Sequence, residues 1–372
     1  MPVETKEVKT KKDLRRFIYL PATINKECSN WVPPIYQDEF LFFNPKKNRS
    51  FSYSDTILLF AYKNGKLAGR IMGLINKRYN EIHKEDHARF EFLDCYDDQE
   101  IVHSLVNRVE NWAREKGMKK IVGPLGFSDK DPQGFLLEGF EHRAILATVW
   151  NQEYMNRLIT AEGYQKKVDL NDYLIRIPEE IPEIYRRIYQ RVSHKSNFRV
   201  IDFTRKKELK PYIIPVLRLM NECYSDIYGF VPLTDQEMVE YAARYLPVLD
   251  PNFVKVTVAD GEVVGFVISM PDLSDGLQKA KGRLFPFGIF KILASIKKSK
   301  HLVLLLGAIK QKFHGSGMDV MMAVKLLETA ASRNMESIES HLVLEHNHKM
   351  IGEITKIGGT IHKRFRIYEK AL

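Results

Sequence analysis

Residues 301–327, HLVLLLGAIKQKFHGSGMDVMMAVKLL, constrain the fold more than any other stretch of the chain. The run 302–309 is short and dense in Leu, Val and Ile, which suits a buried strand. Residues 310–314 are polar, Gly315-Ser316-Gly317 is a tight turn, and apolar residues resume at Met318, Met321, Met322, Val324 and Leu326. That resumption suits a helix with most of its circumference buried. Strand, glycine turn and helix form a unit with a physical use. The first helical turn carries unpaired N–H groups and the positive end of the helix dipole. Glycines let that backbone approach a bulky anion such as a diphosphate.

A glycine turn by itself is ordinary punctuation, so its detail matters. No Gly-Lys-Ser/Thr follows, which excludes a Walker loop. No third glycine follows either, and no acidic residue ends a next strand about twenty residues on, which excludes a dinucleotide fingerprint.

Residues 309–319, IKQKFHGSGMD, resemble the acyl-CoA-binding motif of the GNAT acyltransferases. There, a strand is followed by x-Pro-x-x-Arg/Gln-x-x-Gly-x-Gly/Ala and a helix. His314 falls at the Arg/Gln position and Gly317 at the first glycine, while Asp319 replaces the second small residue. Residues 344–359, LEHNHKMIGEITKIGG, look like the family's next element, in which an Asn after a strand opens a helix. Asn347, Met350, Lys356 and Gly358 keep that spacing, and the closing TIHKRFRIYEKAL resembles the ending of a poorly characterised, bacterial-type branch. The resemblance covers residues 252–372. It implies an α+β fold with a mixed sheet flanked by helices, and acetyl-CoA or a longer acyl-CoA as co-substrate. Ala308, Ile309, His314, Gly315, Ser316, Gly317, Met318 and Asn347 are the implied binding residues. Asn347 is also a good helix N-cap, which alone explains it.

The first half repeats the pattern. Residues 56–76 form a hairpin signal around Asn64-Gly65, and residues 251–271 form a second around Asp260-Gly261. Gly65 and Gly261 stand 196 residues apart, which suggests internal duplication. We therefore expect two tandem GNAT-like domains, 1–177 and 198–372, joined by a helix at 178–197. The halves differ where the phosphates would sit. After the strand at 91–97 the first half has DDQEIVHSL, with Asp97, Asp98 and Glu100 where a glycine turn is needed. Acidic residues there cap a helix and repel a diphosphate. Residues 121–142 would then either wall a substrate cleft between the halves or form a surface loop.

Composition sets outer bounds. A hydrophobic content of 44% with 28% charged residues is that of a globular protein, and 372 residues favour two domains. Cys28, Cys95 and Cys223 are odd in number and far apart, so we expect neither a disulfide framework nor a metal site. The first residues lack an apolar signal core, and no run approaches the roughly 18 apolar residues of a membrane span. The expected location is cytoplasmic. A net charge of +10 favours anionic partners without choosing among CoA, nucleic acid and a membrane surface.

If the resemblance holds, an acyl group passes from a thioester to an amine. The amine must lose a proton and the departing thiolate must gain one. The family often takes its acid from a Tyr on the helix after the Asn, and the matching position here is Ile354. Tyr368 on the last strand is the nearest substitute in sequence. Glu339, His341, Val343 and Glu345 alternate along a strand expected over 338–345 and so share one face. A buried carboxylate must be paired, exposed or functional. This makes Glu339 or Glu345 the candidate base with His341 as relay. The structural reading pairs them with Lys363, Arg364 and Arg366.

Residues 277–300 interrupt the pattern. Seven basic residues between Lys279 and Lys300 meet no acid and alternate with Phe and Ile. A packed helix with a solvated lysine face, a lid, a peripheral membrane contact and a tRNA contact all fit this segment. The expected function is acyl-CoA-dependent N-acyl transfer to an unidentified amine. The rivals are a non-catalytic acyl-CoA-binding protein and a transferase using aminoacyl-tRNA.

Overall fold

The computed structural model describes residues 2–146, 148–195 and 197–372. The first half opens with β1 (Glu4–Glu7), α1 (Lys11–Ile24) and α2 (Tyr36–Phe42). Next come β2 (Ser54–Lys63), β3 (Lys66–Asn76), α3 (Lys77–His83), β4 (His87–Cys95) and α4 (Gln99–Glu115). It closes with β5 (Lys120–Gly123), β6 (Phe135–Glu138), α5 (Tyr154–Ala161) and β7 (Gln165–Arg176). A connecting helix, α6 (Glu183–Lys195), leads to β8 (Phe198–Asp202), α7 (Lys206–Leu209), α8 (Ile213–Cys223) and α9 (Asp235–Tyr245). The hairpin β9 (Val254–Ala259) and β10 (Glu262–Pro271) precedes two inserted helices, α10 (Ser274–Ala280) and α11 (Gly288–Lys298). The remainder is β11 (His301–Ile309), α12 (Met318–Ser332), β12 (Ser337–Ser340), β13 (Val343–Leu344), α13 (His348–Lys356) and β14 (Thr360–Ala371).

Both hairpins form where turn chemistry requires them. Asn64 and Gly65 lie at φ 52° and 73°, and Asp260 and Gly261 at 49° and 83°, the left-handed pair of a two-residue turn. At the start of α4, Asp98 accepts from the Glu100 amide at 3.1 Å, and Lys63 pairs with both Asp98 and Glu100. The acidic run in the first half is thus a helix cap. The proline-bearing segment after α1 leads into the two-turn helix α2, whose first residue, Tyr36, is buried.

The strands join into one mixed sheet rather than two, in the order β1-β2-β3-β4-β5-β14-β7-β12-β11-β10-β9-β8. Its centre is an exchange. β7, the last strand of the first half, pairs with β12 of the second. β14, the last strand of the second half, pairs with β5 of the first. The two exchanged strands lie antiparallel against each other, from Thr360 opposite Leu174 to Glu369 opposite Gln165. Division at residues 177 and 198 follows chain order, whereas the sheet interleaves the halves. Separate apolar clusters flank this seam, one beneath α4 in the first half and others beneath α8 and α12 in the second.

A forked sheet edge above an apolar cavity

β11 and β12 run parallel and hydrogen-bonded only from His301 opposite Ser337 to Leu304 opposite Ser340. The last tie is the His341 amide on the Leu304 carbonyl, 2.9 Å. Beyond it the strands part. β11 stays with β10 as far as Ile309, while β13 pairs with β7 at Asn171 and Leu170. The continuous strand expected over 338–345 is therefore interrupted at His341 and Leu342, where the chain loses β11 as a neighbour and keeps β7. That break undoes the shared face on which Glu339, His341 and Glu345 were grouped.

The fork leaves one edge of β11 without a strand partner, and side chains occupy it. The Tyr224 hydroxyl donates to the Gly307 carbonyl at 3.1 Å and accepts from the Gly307 amide at 3.2 Å. The His314 Nε2 stands 2.9 Å from the Ile309 carbonyl. Such an edge suits an extended, amide-bearing chain, which would exchange with these side-chain bonds.

Beneath the fork lies a cavity of about 250 Å³. Its walls come from α8 (Val216, Leu217), from β11 (Leu304 to Gly307) and from the Ser340–Leu344 segment. Tyr212, Tyr224, Tyr228, Tyr241 and Tyr245 ring it, with His341, Asn347 and Met350. Burial pushes the phenols of Tyr224, Tyr228 and Tyr241 above their ordinary range, so they remain protonated donors. The first half contributes Asp129, Lys130 and Gln133. Its loop is tied to the second half by the Asp129 amide on the Gly229 carbonyl, 3.2 Å, and by Lys130 Nζ on the Val231 carbonyl, 2.9 Å.

At the open end of the fork, Ala308 and Ile309 lead into the turn before α12. Gly315 lies at φ 75° with nothing within 4 Å of where a Cβ would stand. Gly317, at φ 83°, is enclosed instead: a Cβ there would lie 2.8 Å from Val192 Cγ2 of α6. Ser316 Oγ donates to the Phe313 carbonyl and accepts from the Met318 amide, and the Met318 side chain is buried. Asp319 stands half-buried in the first turn of α12. Burial and the facing Glu353 raise the pKa of its carboxyl. The helix start therefore already carries an acid, while the open amide approach lies at Gly315.

The remaining candidates are dispersed. Asn347 lines the cavity wall and caps α13, accepting from the Met350 amide. Glu345 accepts from Lys166 Nζ at 2.6 Å and from the Asp169 amide at 3.0 Å. Burial opposes its charge, but those two donors outweigh it and lower its pKa. Glu339 is bonded to Lys363, and His362 Nε2 stands 4.0 Å away. Tyr368 lies in the apolar cluster of the first half with its hydroxyl on Asn156 Oδ1, 2.8 Å. Ile354, at the position of the family tyrosine, is buried among Tyr173, Leu326 and Leu327. Of the ionisable candidates only His341 reaches the cavity. Tyr224 escaped sequence reasoning because its strand-edge partner, Gly307, is 83 residues away.

The chain is 30% identical over 379 residues to the bacterial ceramide synthase of Caulobacter vibrioides, covering 98% of this chain and 96% of that protein. The chain belongs to the family of that ceramide synthase. The chain is also 26% identical over 373 residues to protein YghO of Escherichia coli K12, covering 97% of this chain and 94% of that protein. No family model matches the chain. Among solved structures, a tandem GNAT protein from the clavulanic acid biosynthesis pathway superposes with a TM-score of 0.56 at 11% identity, over 99% of this chain and 98% of that one. The chain thus has the tandem GNAT fold. No helix among the described residues is long and apolar enough to cross a membrane.

Proposed function

We propose that this chain transfers a long acyl group from a CoA thioester to the amine of a long-chain base, forming an amide. The observation that carries the reading is the apolar cavity opening under the fork, whose walls suit an alkyl chain. The name of the Caulobacter relative supports it, since a ceramide is the N-acyl derivative of a long-chain amino alcohol.

In this reading the donor supplies the activated acyl group. The amides of Gly315 and Gly317 meet its diphosphate, and the freed edge at Gly307 and Ile309 takes its amide-bearing arm. Lys310, Lys312 and His314 lie in the same turn and add positive charge or donors. The amine nitrogen attacks the thioester carbon; a C–N bond forms and the C–S bond breaks. His341, which lines the cavity, takes the proton that the amine loses. Tyr224, held protonated by burial, supplies the proton that the departing thiolate gains.

The test is thiol release with identification of the amide by mass, using acyl-CoAs from acetyl to long-chain and a long-chain amino alcohol as acceptor. Turnover that rises with acyl length is expected. Release with acetyl-CoA alone, or none with any donor although CoA binds, removes the proposal.

A further inference from the structure

Residues 279–300 fold as the end of α10, a turn and α11, and they contain seven Lys and Arg and no acid. The inner side of this helical pair is complete. A Cβ on Gly276 would lie 2.7 Å from the Ile292 Cα, so the two helices touch backbone to backbone. Leu277, Ala280 and Ile292 are buried on Met270 and Leu273. Asp275 is bonded to Lys279 on its own helix and to Ser295 across the pair.

The outer side has no such partner. Phe285, Phe287 and Phe290 are 74%, 69% and 66% exposed, and Leu293 is 43% exposed. Phe287, Phe290 and Leu293 recur every third residue and so lie along one side of α11. Cations stand at both ends of that stripe: Lys281 and Arg283 before it, Lys297 and Lys298 after it. Lys279 and Lys300 pair with Asp275 and Glu336. Lys281, Arg283, Lys297 and Lys298 make no ion pair among the described residues. With 11 residues the helix is far too short to span a bilayer, which needs about 20. An apolar stripe with cations at its ends instead matches a helix lying in the headgroup plane.

We propose that the α10–α11 pair docks this protein on a bilayer surface carrying anionic lipid, with Phe285, Phe287, Phe290 and Leu293 inserted and the four free cations among the headgroups. Charge complementarity selects the partner: a chain of net charge +10 places an acid-free segment around its most exposed aromatic cluster. A strand of RNA would need cations tracking a groove between stacked rings rather than gathered at the ends of a stripe. The position also has a use. Leu249 and Leu305 pack against the core of the helical pair and also line the apolar cavity. Docking therefore brings a wall of that cavity close to the bilayer, where long-chain substrates reside.

The experiment is sedimentation of the full chain with vesicles of phosphatidylcholine alone or with a phosphatidylglycerol fraction, at low and at physiological salt. The vesicles contain no acyl donor, so the outcome is independent of the transfer reaction. Co-sedimentation with the phosphatidylglycerol vesicles is expected, weakening with salt. F287E/F290E should lose it by at least about tenfold, and K297E/K298E should lose the preference for anionic lipid by about tenfold. All four side chains are exposed, so an unchanged melting curve verifies the fold of each variant. A wild-type chain that stays in the supernatant, variants that sediment like wild type, or retention on RNA without vesicle binding would each overturn the proposal.

Discussion

Lys363 meets Asp172 at 3.2 Å across the central seam, although 191 residues separate them in the chain. Glu339 shares the same ammonium, and all three side chains are buried or nearly so. Burial first, and the charge of Glu339 second, push the Asp172 carboxyl well above its ordinary 3.8. Although burial opposes it, the two carboxylates hold Lys363 above 10.5. The lysine's contribution is therefore complete at neutral pH and fades only as pH climbs past 10.5. The Asp172 contribution has the same sign in a lower window, declining as pH rises above 3.8, because the folded state holds that proton more tightly.

Removing the shared cation should leave two uncompensated carboxylates. K363M is expected to lower the unfolding free energy by about 3–5 kcal/mol at neutral pH, read from denaturant midpoints. The deficit should shrink toward pH 4, and adding D172N should restore part of it.

The two turn glycines should respond differently to alanine. G317A combines a left-handed backbone with a contact on Val192 and should lower the melting temperature markedly, equivalent to about 2–3 kcal/mol. G315A meets open space and carries only the backbone penalty of about 1 kcal/mol, so its larger effect should appear in CoA affinity by calorimetry.

Asp319 should oppose the donor's phosphates, since it puts a carboxyl in the first turn of α12. D319N is expected to tighten CoA binding by about fivefold, equivalent to roughly 1 kcal/mol of relieved repulsion. An unchanged or weaker dissociation constant would place the diphosphate away from this helix.

Y224F keeps the ring that lines the cavity and removes the hydroxyl bonded to Gly307. If that hydroxyl protonates the thiolate, kcat should fall about a hundredfold with little change in thermal midpoint. Val216, buried on the cavity wall, offers a separate handle. V216F should move the acyl-length optimum toward shorter chains, measured by competition between donors.

Much of this fold was legible because single residues dictate backbone geometry. Asn64-Gly65 and Asp260-Gly261 announce their hairpins since few other pairs accept two positive φ angles in succession. The strand, glycine turn and helix over 301–327 follow from a change of apolar period. What alternation does not encode is the partner. Nothing in residues 165–176 or 360–371 says that each pairs across the seam with the opposite half. The interruption at His341 and Leu342 was equally invisible, because it arises where a neighbour diverges and leaves no glycine or proline to mark it. The candidate site divided in the same way. Its glycine turn was readable locally, whereas Tyr224 and the loop at Asp129 join it only through tertiary contacts.

The exchange of β7 and β14 also bears on assembly. Residues 1–177 synthesised alone would have β5 and β7 waiting on either side of an empty slot. Two unsatisfied strand edges of that kind invite pairing with other chains. Neither half is a self-sufficient folding unit, and the sheet can close only after the 360–371 segment has been made. A frameshift within that segment would therefore damage the first half as severely as the second.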